Sequence, residues 1–104
     1  MKNRPVSSAV GPGDVRLNGG FMEPFLRLIR NASLPYQWEV LNDRIVPDEK
    51  SHCIENFRIA SGRHEGQFYG MVFQDSDVAK WLEAVAYQLA QKPDETMESN
   101  ADEA

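Results

Sequence analysis

The chain has 104 residues, of which 41% are apolar and 26% charged, as in an ordinary small globular domain. The net charge of −5 arises at the C-terminal end, because residues 94–104 contain five acidic side chains and no basic ones. Residues 1–93 carry eleven side chains of each sign without a basic patch, so we expect neither nucleic acid nor a membrane surface as a partner.

Cysteine usage and the N-terminus indicate the compartment. Cys53 is the only cysteine, so neither an intrachain disulfide nor a cysteine-based zinc cluster can form within these residues. Lys2 and Arg4 are not followed by an apolar run, so no secretory signal peptide is expected, and no segment has the length needed to span a membrane. The sequence therefore predicts a cytoplasmic protein.

The first half of the chain is predicted to be helical after a flexible start. Residues 1–14 are rich in Pro, Gly and Ser, and residues 15–17 alternate apolar and polar as in a short strand. The apolar pattern that follows predicts a helix over about 22–33, a break near Ser33–Pro35, and a second helix over about 36–44.

The middle of the chain is predicted to form a short helix and then a loop. Ser51 is suited to cap a helix over about 51–61, and Gly62 is suited to end it. The predicted inner face of this helix consists of Ile54, Phe57 and Ala60. Residues 68–73, which we call the apolar loop, contain five large apolar side chains and should be covered by something.

The clearest periodicity lies near the C-terminus. Apolar residues at helical spacing predict a helix over about 76–91, namely Val78, Trp81, Leu82, Val85, Ala86 and Leu89. Pro93 follows as a stop signal. Residues 94–104 fit two interpretations equally well, a disordered acidic tail or the start of a further helix that carries Met97 and Ala101 on one face.

Three blocks of sequence resemble a known enzyme family. They are YQWEVLNDR at Tyr36–Arg44, SHCIENFRIA at Ser51–Ala60 and FYGMVFQDSDVAKWLEA at Phe68–Ala84. In this order and at this spacing they resemble the N-terminal part of the β-L-arabinofuranosidases of glycoside hydrolase family 127. The resemblance runs from about Val15 to the last residue.

The resemblance implies a fold and a chemistry. Residues 15–104 would supply the first helices of an (α/α)6 barrel, on which the rest of the catalytic domain packs, with at most a short N-terminal strand. Family members release terminal β-L-arabinofuranose from short oligosaccharides with retention, by means of a cysteine thiolate in a zinc site of one Glu and three Cys. A second Glu is the general acid. None of these groups lies in this chain, and Cys53 is outside the family's zinc motif.

Gln74, Asp75 and Asp77 are the candidate substrate-binding residues. In helical barrels the loops at one end form the sugar pocket, and an amide and two carboxylates at a loop–helix junction can bind sugar hydroxyls. A structural interpretation is favoured from the pattern, in which Asp75 or Ser76 caps the helix and Asp77 pairs with Lys80. Residues two apart at a helix start do not flank a glycosidic bond, so they are not an acid–base pair.

Other side chains are interpreted mainly as structural. His52 and Cys53 are adjacent and would point about 100° apart on a helix, so a shared metal is not expected. Trp81 is assigned to the core, while Tyr36 and Trp38 are left open between packing and sugar stacking. Glu55 and Asn56 are expected on a solvated helix face, and Asn42–Arg44 are expected at the end of a helix. His64 is expected on the surface. Tyr87 is a further aromatic residue that could stack on a sugar.

Two functional hypotheses therefore remain. The first is an N-terminal segment of a glycosidase, which is inactive alone because its catalytic groups lie elsewhere. The second is a self-standing, non-catalytic interaction module that uses the apolar loop. A complete enzyme within these residues is not expected, because the sequence contains no nucleophile–base pair, phosphate loop or metal cluster.

Overall fold

The structure, a computed structural model, describes residues 6–104. All regular secondary structure within these residues is helical. Five α-helices are formed: α1 (Glu23–Leu28), α2 (Leu34–Leu41), α3 (Cys53–Ala60), α4 (Asp75–Gln91) and α5 (Glu95–Glu103). The predicted mainly helical class is confirmed. No strand occurs within the described residues; Val15 is extended, but an isolated short segment has no neighbour with which to pair. Of the predicted flexible segment, residues 1–5 lie outside the described part and Pro12–Asp14 form a 3₁₀ turn.

The predicted break near Pro35 is replaced by a π turn. Ile29–Ser33 form this turn and join α1 to α2 in one helical rod, with right-handed helical backbone angles at Leu28 and Leu34. A proline inside a regular α-helix lacks one N–H and clashes with the carbonyl four residues earlier. The wider π turn relieves that clash without ending the helix. The prediction of a break was therefore wrong, although it marked the position of the irregularity.

The rod ends at Leu41 rather than at Arg44, because Asp43 adopts a left-handed conformation with φ of 59°. The Asp43 N–H donates to Val40 at 3.0 Å and the Arg44 N–H donates to Glu39 at 2.9 Å. These two hydrogen bonds, which close the last turn of the helix, define the Schellman motif. Helix α3 ends in the same way, with the predicted stop residue Gly62 at φ of 76°.

The core lies where α2, α3, α4 and α5 meet. The indole rings of Trp38 and Trp81 stack with centroids 4.8 Å apart and an interplanar angle of 22°. Trp81 Nε1 also donates to the Leu34 carbonyl at 3.0 Å, which satisfies the one polar group of this buried side chain. The other buried apolar residues are Leu34, Leu41, Cys53, Ile54, Val78, Val85 and Met97.

The last segment is a helix, which decides between the two interpretations of residues 94–104. Asp94 has extended backbone angles and its carboxylate accepts the N–H of Met97 at 2.9 Å, as an N-cap residue does. Met97 is buried against the core, with Ala101 and Ala104 packed at its edge. The apolar side chains at helical spacing therefore determine the structure of this segment, despite its acidic composition.

The described residues form a flat body with wide apolar surfaces. Its extents are 49 × 44 × 24 Å and its radius of gyration is 17.2 Å, whereas a compact chain of this length has about 13 Å. Large apolar side chains are exposed on α1, just before α1 and in the apolar loop, notably Phe21, Phe25, Leu28, Met71, Val72 and Phe73. No helix among residues 6–104 is both long and apolar enough to cross a bilayer. Much of the apolar surface therefore lacks a covering within these residues.

Candidate functional site

A groove with a volume of about 610 Å³ lies between α2, the loop after it and the start of α4. Its walls combine aromatic, amide and charged side chains, which is the chemistry suited to sugar rings and hydroxyls. The lining residues are Tyr36, Gln37, Val40, Leu41, Pro47, Asp48, Glu49, Lys50, Ser51, Gln74, Asp77, Lys80, Trp81 and Ala84. Two of the three predicted substrate-binding residues are therefore brought together in one groove.

Gln74 is held in place by its surroundings. Its Oε1 accepts the N–H of Met71 at 2.6 Å, and its backbone carbonyl faces the Cys53 thiol at 3.2 Å. The side-chain oxygen is thus engaged within the turn, whereas the amide nitrogen remains a donor for a ligand. Gln74 is half-buried, so it combines a fixed position with partial access to the groove.

Asp77 and Asp75 occupy different environments. Asp77 is about half exposed at 49%, and within residues 6–104 its one ion pair is a long one of 3.5 Å to Lys80. Asp75 does not line the groove. Neither Asp75 nor Ser76 caps α4, because the 3₁₀ turn Val72–Gln74 runs directly into the helix; the Ser76 hydroxyl donates instead to the Phe73 carbonyl at 2.7 Å. The predicted capping was therefore wrong.

The aromatic candidates divide by exposure. Trp38 and Trp81 are buried in the stacked pair, so their rings serve the core, as the sequence predicts for Trp81. Tyr36 lines the groove with 48% of its surface exposed. Tyr87 faces a separate cavity of about 420 Å³ beside Arg16, Arg27 and Arg30. Tyr36 is therefore the aromatic side chain available for stacking in the groove.

Cys53 is a buried structural thiol. It has no exposed surface, and burial raises the pKa of the thiol, so the thiolate is disfavoured near neutral pH. Among residues 6–104 no group of three His, Cys, Asp or Glu side chains converges as metal ligands would. The residues present do not fit the zinc site that the family resemblance implies.

Asn56 contradicts the predicted orientation of α3. It was expected on a solvated face, but it is only 5% exposed, while the predicted inner residues Phe57 and Ala60 are exposed. The Asn56 Nδ2 donates to the Tyr69 carbonyl at 2.9 Å, and the Asn56 Oδ1 accepts the Tyr69 N–H at 3.1 Å. Asn56 therefore fixes the backbone near the start of the apolar loop.

Asp43 and His52 form a second unforeseen contact. They are the two non-glycine residues with positive φ in the described chain, at 59° and 57°. The Asp43 carboxylate accepts the His52 N–H at 2.7 Å and lies 3.0 Å from its Nδ1. Ser51 does not cap α3 as predicted, since the helix starts at Cys53, is preceded by His52 and has no side-chain cap. His64 is exposed as expected and its ring lies 2.7 Å from Glu55, which lowers the pKa of that carboxyl.

Comparison with known proteins identifies the family. The sequence model of the β-L-arabinofuranosidase GH127 catalytic domain matches residues 14–104, and the chain belongs to this family. The resemblance predicted from the three sequence blocks is thus confirmed, and the helical structure agrees with a part of its (α/α)6 barrel.

Two relatives show how much of a family member is present. A non-reducing end β-L-arabinofuranosidase of Bifidobacterium longum subsp. longum is 47% identical over 102 residues, covering 83% of this chain and 16% of that protein. The crystal structure of a GH127 β-L-arabinofuranosidase from Geobacillus stearothermophilus T6 superposes with a TM-score of 0.81 and 58% identity, covering 86% of this chain and 14% of that one. The chain thus spans about one-seventh of these proteins.

Proposed function

We propose that the chain is the N-terminal part of a retaining glycoside hydrolase that releases terminal β-L-arabinofuranose from oligosaccharides. The observation that carries this proposal is the 58% identity to the Geobacillus enzyme together with the TM-score of 0.81. At this identity the side chains that shape local geometry are mostly shared, so the segment should perform the same task as its counterpart. That task is to complete the helical barrel and one side of the sugar site.

We assign the sugar contacts in this segment to Gln74 and Asp77. Both line the groove, where the Gln74 amide nitrogen can donate and the Asp77 carboxylate can accept hydrogen bonds from hydroxyls. Asp75, the third candidate, is outside the lining and is better suited to the positive end of the α4 dipole. Tyr36 adds an exposed ring at the groove wall.

The catalytic groups of this enzyme belong to the rest of the catalytic domain. The resemblance implies a zinc ion held there by one Glu and three Cys, and the residues of this segment supply no such set. We propose that the apolar surfaces of the described chain pack against that remainder. A cytoplasmic location is part of the proposal, because a thiol-dependent enzyme with an unpaired Cys53 suits a reducing compartment; fractionation of cells expressing the natural protein tests it.

A chimeric enzyme tests the proposal. Residues 14–104 replace the matching segment of the Geobacillus enzyme, and release of L-arabinose from a β-L-arabinofuranoside is measured. We expect the specific activity to stay within about tenfold of the parent enzyme, which corresponds to less than about 1.4 kcal/mol of lost transition-state stabilisation. The 104-residue chain alone is the control and should release no arabinose.

A folded chimera without hydrolysis would contradict the proposal, since the segment would then lack the function of its counterpart. The competing hypothesis, a self-standing module that docks a partner through the apolar loop, is favoured by the exposure of Met71, Val72 and Phe73. Solution behaviour separates the two. A barrel segment should bind hydrophobic dye and melt without cooperativity, whereas a self-standing module should be monomeric and melt cooperatively.

A further inference from the structure

The loop after α2 forms one wall of the groove, yet its backbone is weakly held. Residues 47–51 line the groove together with Gln74 and Asp77. No backbone–backbone hydrogen bond joins residues 46–51 to another residue in the part of the chain that the structure describes. The shape of this wall must therefore depend on side-chain contacts at its ends.

Those contacts start with the two residues of positive φ. Asp43 precedes the loop and His52 follows it, and the two hydrogen bonds between them close the loop at its base. Their side chains are only 23% and 17% exposed, so solvent screens this contact less than it screens a surface pair. Left-handed backbone angles at non-glycine residues are unfavourable and persist only where surrounding contacts impose them.

The same pair connects the loop to the segment that leads to Gln74. The His52 ring meets the Tyr69 ring edge-on at 5.8 Å, and the Lys50 ammonium lies 4.3 Å from the centre of the Tyr69 ring. Tyr69 is itself fixed by Asn56, and its segment continues to Gln74. A chain of contacts thus runs from Asp43 through His52 and Tyr69 to the segment that carries the proposed sugar contacts.

We propose that Asp43 and His52 are positioning residues that set the width of the sugar groove by closing the loop 44–51 at its base. This inference rests on the proposed function of the groove. The pair does not line the groove; it fixes the part of the groove wall that residues 47–51 form. Loss of the pair should therefore weaken substrate binding and leave the chemical step unchanged.

The test uses the chimeric enzyme, in which the rest of a catalytic domain completes this segment. Asp43→Gly removes both hydrogen bonds, whereas His52→Gly removes the one made by the imidazole ring and keeps the one from the backbone N–H. Both variants keep the backbone conformation, because glycine adopts positive φ without strain. Asp43→Asn is the conservative variant, since asparagine tolerates this conformation and keeps an acceptor for the His52 N–H. We expect the glycine variants to raise KM about tenfold with kcat within about twofold, as for the loss of one hydrogen bond to substrate, while Asp43→Asn restores KM to within about threefold of the parent.

Tryptic cleavage after Lys50 gives a readout that does not need activity. It should accelerate about tenfold in the glycine variants, because opening of the loop exposes the bond, whereas cleavage after Arg63 in the other loop should stay unchanged. Unchanged KM and unchanged cleavage after Lys50 would overturn the proposal, as would a parallel fall of kcat and thermal stability. His52→Asn replaces His52→Gly if the latter fails to fold. An inactive parent chimera would refute the proposed function, and cleavage after Lys50 would still decide the role of the pair.

Discussion

Replacing Trp81 by alanine is expected to remove most of the helical signal of the chain at room temperature. Trp81 is almost fully buried, stacks on Trp38 and donates a hydrogen bond to the Leu34 carbonyl. Truncation of a buried aromatic side chain costs about 3–5 kcal/mol, which is comparable with the whole stability of a small core. Nine buried apolar side chains cannot absorb such a loss, since the indole links α2 to α4.

Far-UV circular dichroism of the chain and the variant measures this effect. Tyr87→Ala is the matched control, because Tyr87 is an aromatic residue of the same helix that is half exposed. The control should keep the helical signal of the parent chain, because substitutions at exposed positions usually have small effects. Equal helical signals for Trp81→Ala and Tyr87→Ala would show that the stacked pair does not hold the helices together.

Replacing Asn56 by alanine is expected to release the start of the apolar loop at Tyr69. The substitution leaves the Tyr69 N–H and carbonyl without their partner, and each unsatisfied buried group costs about 1–3 kcal/mol. The segment can escape most of this cost by moving into water, so we expect local opening rather than unfolding. Hydrogen exchange of the Tyr69 amide should accelerate by about tenfold to a hundredfold, as a loss of roughly 1.4–2.8 kcal/mol implies.

Amide exchange followed by NMR or mass spectrometry checks this result. Gln67→Ala is the matched control, because it removes a similar amide side chain from an exposed position in the same loop. Asn56→Asp keeps the acceptor for the Tyr69 N–H and loses the donor to its carbonyl, so its effect should lie between those of the other two. Unchanged Tyr69 exchange in Asn56→Ala would mean that the segment is held by other contacts.

The helix α4 could be predicted from the sequence because helical periodicity depends on residues that are close together in the chain. Val78, Trp81 and Val85 recur at helical spacing and are buried in the structure, where α4 spans Asp75–Gln91. The acidic C-terminal segment shows the same helical spacing of apolar residues at Met97 and Ala101. Its many acidic side chains made this pattern harder to tell from a disordered tail. A face of a helix is imposed by local geometry, so a pattern in the sequence is enough to indicate it.

The contacts that shape the groove could not be read in this way. Asn56 on a short helix looks like a solvated amide until Tyr69, thirteen positions later, is placed beside it. Asp43 and His52 adopt conformations typical of glycine, and they are stabilised by hydrogen bonds between residues nine positions apart in the sequence. Long-range contacts of this kind leave no periodic trace.

The family resemblance supplied what the pattern could not. A chain with an ordinary composition leaves an apolar loop and part of α1 exposed, and it covers only 14% of the Geobacillus enzyme; we propose that the remainder of such a domain packs on these surfaces. The structure then separates the three candidate residues by position, since Gln74 and Asp77 line the groove and Asp75 does not.

Sequencing the transcript across and beyond codon 104 tests the central claim most directly. If the chain is the first part of a GH127 glycosidase, the reading frame should continue for several hundred codons and encode the acidic residue and clustered cysteines of a zinc site. A stop codon directly after Ala104, in a transcript that yields a stable protein of this length in cells, would contradict the account.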